Sequence, residues 1–375
     1  MRIAFDHQAF CLQKTGGISR YFVRVAQELA YAQQQVGVFA PLYRNQYLND
    51  LDKSYIHGRG IQNYPPHCAD AMVSLNGFVA RSLIIKWQPD VVHETYFSKR
   101  ASGTQICPSI LTVFDMIPEL GIQSPPPSEY ELKQSAKYAA ALRADHVICI
   151  SECTRQDLIE QFNISPEKVS TIHLGCDAVV NVKREALTHQ SAPRPYLLYV
   201  GLRGGYKNFE RLLQAVACSK SLRDDFDVVA FGGGSFNTAE LALIQRLNFA
   251  PNQIRQNSGS DQSLSEAYSA ATAFVYPSIY EGFGLPPLEA MAHSCPVVSS
   301  NTSSMPEVIG DAAEYFDPLS LDDIASAIER VVLSNALTQS LIERGRLRVQ
   351  RYTWKACAEQ HLQRYEFLAQ RATSI

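Results

Sequence analysis

Two carboxylates eight residues apart, Glu281 and Glu289, bracket the run Gly282-Phe283-Gly284-Leu285-Pro286-Pro287. Proline pre-sets φ for a helix's first turn, so the run predicts a glycine turn opening the helix Leu288-Glu289-Ala290-Met291-Ala292-His293, with Glu281 at the end of the strand before it. The N–H groups of Gly284 and Leu285 then have no partner inside the helix, and the aligned peptide dipoles add partial positive charge; together they form an anion site. Glu289, read as part of the first turn, suits that dipole and can also accept two hydrogen bonds from a vicinal diol. The chemistry on offer is the joint holding of a phosphate and a ribose.

Other stretches carry the same kind of chemistry. YVGLRGGYKNFERL, residues 199–212, puts Arg203 and Lys207 in a loop between an apolar run and a helical one. Two fixed cations facing a departing phosphate would stabilise the charge it gathers. KTGGISRYF, residues 14–22, sets Gly16 and Gly17 at a helix opening, where backbone can approach an anion, without the G-x-G-x-x-G spacing of a dinucleotide oxidoreductase. FGGGS, residues 231–235, places Gly233 in a tight strand-to-helix connection. DVVHETYF, residues 90–97, leaves His93 at the carboxyl end of an apolar run, where a neutral imidazole could bond a hydroxyl or a phosphate. Asp115 holds the matching place after LTVF.

Asp50-Leu51-Asp52 falls in a polar loop, and Asp225-Phe226-Asp227 stands at the amino end of a strand, away from the expected ligand edge; both read as solvated turn residues. Cys149 and Cys153 are four apart with no second pair to complete a zinc site, and the nine scattered cysteines read as free thiols. No metal and no cofactor is expected.

The elements that must position these residues follow from hydrophobic periodicity. Short apolar runs (RIAFD, VGVFA, DVVHET, SILTVFD, HVICIS) alternate with amphipathic ones such as ISRYFVRVAQELA, where Ile18, Tyr21, Phe22, Val25 and Leu29 share one face. Strand, helix, strand in succession predicts an α/β fold with a parallel sheet. The polar, proline-closed stretch NVKREALTHQSAPRP marks a linker, and the alternation restarts at Tyr196 with YLLYVG. Two α/β domains are expected, 1–185 and 196–352, with a last helix over 353–375 that crosses back onto the first. The 375-residue length suits two domains, and a net charge of −3 argues against nucleic acid as a partner. No apolar run reaches the ~20 residues of a membrane span, so a cytoplasmic protein is expected.

The segment YPSIYEGFGLPPLEAMAHSCPVV, residues 276–298, resembles the E-x7-E signature of the retaining family 4 glycosyltransferases, with Glu281 and Glu289 at its two glutamates. The resemblance extends to 199–212, 14–22, 231–235, to SNTSSMPEVIGDAAEYFDP (300–318), which would pack under the glutamate motif, and to RQNSGSDQSLSEAYSAA (255–271), which would cradle a nucleobase. It departs at Phe114, which stands where the family often has a histidine before Asp115.

The resemblance implies the GT-B fold, two Rossmann-like domains facing across a deep cleft, the first for the acceptor and the second for the donor. It implies a metal-independent, retaining hexosyl transfer from a nucleoside diphosphate sugar, UDP-glucose favoured over a GDP-sugar, to a polysaccharide or lipid-linked saccharide, with peripheral contact at the inner membrane face. Glu281, Arg203, Lys207 and His93 become the catalytic candidates. Gly16, Gly17, Gly233, Phe283, Gly284, Leu285 and Glu289 become donor-binding, and Asp115 acceptor-side. The same scaffold could carry a GDP-mannose-dependent mannosyltransferase, a nucleotide-sugar epimerase, a phosphorylase or a silent donor-binding subunit.

Overall fold

The first apolar runs form strands buried on both faces, as a parallel sheet covered by helices requires. In the computed structural model, which describes residues 1–64, 69–101, 107–122, 136–177 and 194–373, these are β1 (Arg2–Phe5), β2 (Gln35–Val38), β5 (Val91–Glu94), β6 (Ser109–Val113), β7 (His146–Cys149) and β8 (Val169–Thr171). They pair in the order β2-β1-β5-β6-β7-β8, every pairing parallel. Between β2 and β5 a separate two-stranded parallel ribbon joins β3 (Leu42–Tyr43) to β4 (Arg59–Gly60).

The helix Gly17–Tyr31 buries Tyr21, Phe22, Val25 and Leu29, while Ile18 is only half-buried. Sequence periodicity overlooked the helix Ala69–Trp87, whose Ala80 and Ile84 pack on Ala4, Phe39 and Val92. Of the helical run over 128–144, residues 128–135 lie outside the described residues, and 136–143 are helical.

The second sheet runs β9 (Tyr196–Val200), β10 (Asp227–Phe231), β11 (Ile254–Asn257), β12 (Ala273–Tyr276), β13 (Val297–Ser300) and β14 (Ala313–Phe316). Its spatial order is β11-β10-β9-β12-β13-β14, all parallel. This is the doubly wound order 3-2-1-4-5-6, in which the winding reverses between β9 and β12. Its core joins Leu197, Val228, Val275 and Val298 from the sheet to Leu213, Val216, Ile324 and Ile328 from two strongly amphipathic helices, Phe209–Cys218 and Leu321–Val332.

The chain divides into two compact units, Met1–Gly175 with Trp354–Ile375, and Cys176–Thr353. The C-terminal helix Trp354–Thr373 therefore closes the first unit, and its His361 Nε2 lies 2.7 Å from Tyr21 Oη on the helix Gly17–Tyr31. The linker expected near 180–195 falls almost wholly on residues 178–193, outside the described residues.

Candidate functional site

Parallel α/β sheets bind ligands beyond the carboxyl ends of their strands, at the point where the winding reverses. In the second unit that point lies between the loops leaving β9 and β12, and these loops carry Lys207 and Glu281. Their positions are built from the backbone. Asn208, in the left-handed region at φ 61°, donates through Nδ2 to Pro277 O at 3.0 Å and Pro318 O at 2.8 Å. Ile279 N donates to Tyr206 O at 2.8 Å. With the loops so joined, Lys207 Nζ stands 2.6 Å from Glu281 Oε1.

Contrary to the expectation that it ends a strand, Glu281 lies in the loop beyond β12, which stops at Tyr276. The loop is held from below by the serines of the 300–318 stretch. Glu281 N donates to Ser303 Oγ at 2.9 Å, and Ser304 Oγ donates to Glu281 O and to Phe283 O, both at 2.8 Å. Tyr276 also hydrogen-bonds the Glu281 carboxylate. Burial first, then the Glu281 charge and this bond, hold its phenol well above the ordinary value, so it stays protonated as a donor. Asn208 and Tyr276 are functional-site residues that sequence reasoning missed. Asn208 had a local signal, an asparagine at the start of a helix, but no spacing rule ties Tyr276 to Glu281.

Gly284, at φ 109° and ψ 58°, caps the helix Leu285–Ala292. Pro286 and Pro287 carry no N–H, so the first turn's donors reduce to Gly284 and Leu285. Glu289 is the fifth helical residue, one turn later than expected, where the dipole argument weakens. Its Oε2 accepts from Tyr268 Oη at 3.2 Å. Burial, then the Glu289 charge, raises that phenol well above its ordinary value. Phe283 contributes backbone only, its ring being buried 5.7 Å from that of Tyr352.

Arg203 is not the free cation its loop position suggested. It is 6% exposed; Nε donates to Glu240 Oε1 at 2.7 Å, Nη1 to Gly232 O at 2.9 Å and Nη2 to Ser235 O at 3.0 Å, and the guanidinium carbon lies 4.8 Å from the Phe236 ring centroid. Glu240 caps the helix Thr238–Arg246 in a reciprocal box with Asn237. Burial pushes its carboxyl up, but the Arg203 hydrogen bond, the Asn237 N–H and the Arg203 charge outweigh this and hold it below its usual value. Gly233, at φ 71°, lies against this guanidinium: a Cβ there would come within 2.7 Å of Arg203 Nη1. Arg203 thus positions the glycine turn after β10.

In the first unit the glycine loop is already capped. Gln13 Oε1 accepts from Ser19 N at 3.1 Å, and a Cβ on Gly16 would meet that same oxygen at 2.6 Å, whereas Gly17 faces open space. His93 is a correction to expectation. It is fully buried, with Nδ1 2.6 Å from Tyr365 Oη and Nε2 2.8 Å from Thr112 Oγ1, so neither ring nitrogen is left for a sugar. Burial first, then the nearby His361, holds it well below the ordinary imidazole value. Asp115 sits at the carboxyl end of β6, half-buried, its Oδ1 accepting from Ile117 N at 3.1 Å.

The acidic triplets are occupied otherwise. Asp227 is paired with Arg255 at 3.0 Å and Arg194 at 3.4 Å, and Asp52 caps the short helix Lys53–Tyr55. Among the described residues, no three His, Cys, Asp or Glu side chains gather as a metal site would need.

Comparison with known families bears on this geometry. The profile described as glycosyl transferases group 1 matches residues 183–348, the unit carrying Lys207, Glu281 and Glu289, and that described as glycosyltransferase family 4 matches residues 15–179. The chain belongs to the family 4 glycosyltransferases. It is 31% identical over 239 residues to the O-antigen chain mannosyltransferase B of Escherichia coli, covering 59% of this chain and 60% of that protein. It is 29% identical over 232 residues to an MMP alpha-(1->4)-mannosyltransferase of Mycolicibacterium hassiacum, covering 60% of this chain and 55% of that one. The matches thus span less than two thirds of either relative's length.

The fold of this family 4 chain is GT-B. A sucrose-phosphate synthase from Thermosynechococcus elongatus superposes with a TM-score of 0.76 over 98% of both chains at 20% identity. Glu281 and Glu289 flank the glycine turn in the loop and helix that follow β12. Among the described residues, no helix is long and apolar enough to cross a membrane.

Proposed function

We propose that this family 4 glycosyltransferase moves a hexosyl group from a nucleoside diphosphate sugar to a hydroxyl of a growing polysaccharide or lipid-linked saccharide, with retention and without a metal ion. The observation that carries the reading is the Lys207–Glu281 pair at the carboxyl ends of β9 and β12. As the bond between the sugar's anomeric carbon and the diphosphate oxygen breaks, negative charge grows on the leaving phosphate. Lys207 and the N–H groups of Gly284 and Leu285 meet that charge. Glu281, held between Lys207 and Tyr276, orients the sugar ring, and Glu289 holds the ribose. The new bond to the acceptor oxygen forms on the face the phosphate leaves, and the departing phosphate takes the acceptor's proton.

Sequence reasoning favoured UDP-glucose. The named activities of the relatives, both mannosyltransferases, favour mannose and with it the GDP-mannose alternative. A thermal-shift screen with UDP, GDP, UDP-glucose and GDP-mannose decides between them. A true ligand at 100 times its dissociation constant adds about 2.7 kcal/mol of stability. Incubation of the preferred donor with saccharide acceptors should release nucleoside diphosphate. If none of the four nucleotides raises the melting temperature, the proposed function fails.

A further inference from the structure

The first unit holds a groove of about 530 Å³ that the transfer chemistry above does not use. One wall is Lys14 with the stretch from Tyr43 to Gln46, and the other is Gly60 to Asn63, the segments meeting where β3 pairs with β4. Ile61 N donates to Tyr43 O at 2.7 Å, tying the two walls together, and within the first wall Gln46 N donates to Lys14 O at 2.9 Å. The Tyr43 ring lies so close to Gly60 that a Cβ there would meet it at 3.1 Å.

The lining has a distinct chemistry. Gln46, Asn49, Gln62 and Asn63 present four exposed carboxamides, and the buried Asn45 stands among the lining residues. Each both donates and accepts hydrogen bonds, as a sugar hydroxyl does. Asn45, 2% exposed, donates through Nδ2 to Gln13 O at 2.9 Å, while its buried Oδ1 has no donor. The lining includes two cations, Lys14 and Arg44, and no carboxylate. Arg44 is held in place, its Nη2 donating to Leu12 O at 2.5 Å and its guanidinium carbon 5.7 Å from the Tyr64 ring centroid. An apolar ligand would strand these carboxamides, so the groove suits a hydroxyl-rich one.

We infer that this groove is a saccharide-binding subsite, taking a short hexose chain through its carboxamides while Lys14 and Arg44 meet an anionic substituent on it. Only its role as an acceptor subsite rests on the proposed transfer; binding does not.

The test uses the 375-residue chain and saturation-transfer NMR with mannobiose, cellobiose, mannose, mannose 6-phosphate and inorganic phosphate. At least one disaccharide should show transfer from the protein, and a Gln46→Ala/Asn49→Ala variant, altered only at exposed side chains, should bind it about tenfold more weakly. Mannose 6-phosphate should bind more tightly than mannose, an advantage that Lys14→Glu abolishes. UDP and GDP thermal shifts, read on the same samples, should be equal in wild type and variants. The subsite is overturned if neither disaccharide shows transfer, if the double variant binds as wild type does, or if inorganic phosphate displaces mannose 6-phosphate at equal concentration. Absence of any nucleotide shift in wild type would instead sink the transfer reading and leave saccharide binding standing.

Discussion

Lys207 Nζ lies 2.6 Å from Glu281 Oε1, joining the loop that leaves β9 to the loop that leaves β12. Both are largely buried, with side-chain exposures of 19% and 10%. The pair brings a cation and a carboxylate together on the rim where an anionic leaving group and a sugar would meet. Removing a preorganised donor to developing charge typically costs 10²- to 10³-fold in rate, so Lys207→Ala should lower nucleoside diphosphate release by about that factor. Glu281→Gln should cut it comparably with less loss of nucleotide binding, because Glu281 addresses the sugar. Measuring kcat and nucleotide Kd in both variants separates these roles.

Arg203 and Glu240 form another buried pair of the second unit, with side-chain exposures of 4% and 9%. Removing one partner strands the other, which costs about 3 to 5 kcal/mol, whereas replacing both with apolar groups is often tolerated. Arg203→Met alone should lower the urea midpoint sharply, and Arg203→Met/Glu240→Leu should restore most of it. If Arg203 instead held only the donor, the single variant would keep its stability and lose nucleotide affinity.

Gly233→Ala tests the same corner through the backbone. At φ 71° a side chain costs on the order of 1 to 3 kcal/mol, and the new Cβ would push on Arg203 Nη1. Thermal melting should fall by several degrees, whereas Gly17→Ala, facing open space, should leave it nearly unchanged.

The buried histidines make the first unit sensitive to acid. Burial pulls His361 down to about 4, and burial followed by the Arg364 and Lys168 charges pulls His146 down to about 4. In the unfolded chain both titrate near 6.5, so between pH 6.5 and 4 the unfolded state binds more protons. Stability is therefore complete above pH 6.5 and falls as pH drops towards 4, by on the order of 3 kcal/mol for His361 alone. Urea unfolding followed from pH 7.5 to 4.5 should show this decline, and His361→Gln should flatten it. His93→Gln, which breaks the bonds to Tyr365 and Thr112 in the same buried network, should lower stability, and kcat measured alongside should stay close to that of wild type.

Period and punctuation in the chain were enough for the α/β class, the two parallel sheets, the restart at Tyr196, the glycine turn at 282–284 and the family, because strand burial, helix amphipathicity and turn chemistry are local properties. The long helix Ala69–Trp87 escaped because its apolar residues are not gathered on one face; Leu75, Phe78 and Ile85 are exposed.

Which candidates could reach a ligand was a tertiary matter. His93 and Lys207 are both polar residues near strand ends, and nothing adjacent in sequence distinguishes them. Tyr365 and Thr112, 272 and 19 residues away, occupy both nitrogens of His93, and Glu240, 37 residues away, takes up Arg203. A side chain's charge and hydrogen-bonding capacity are written in the sequence, but whether protein or ligand satisfies them depends on which distant strands and helices the fold sets beside it.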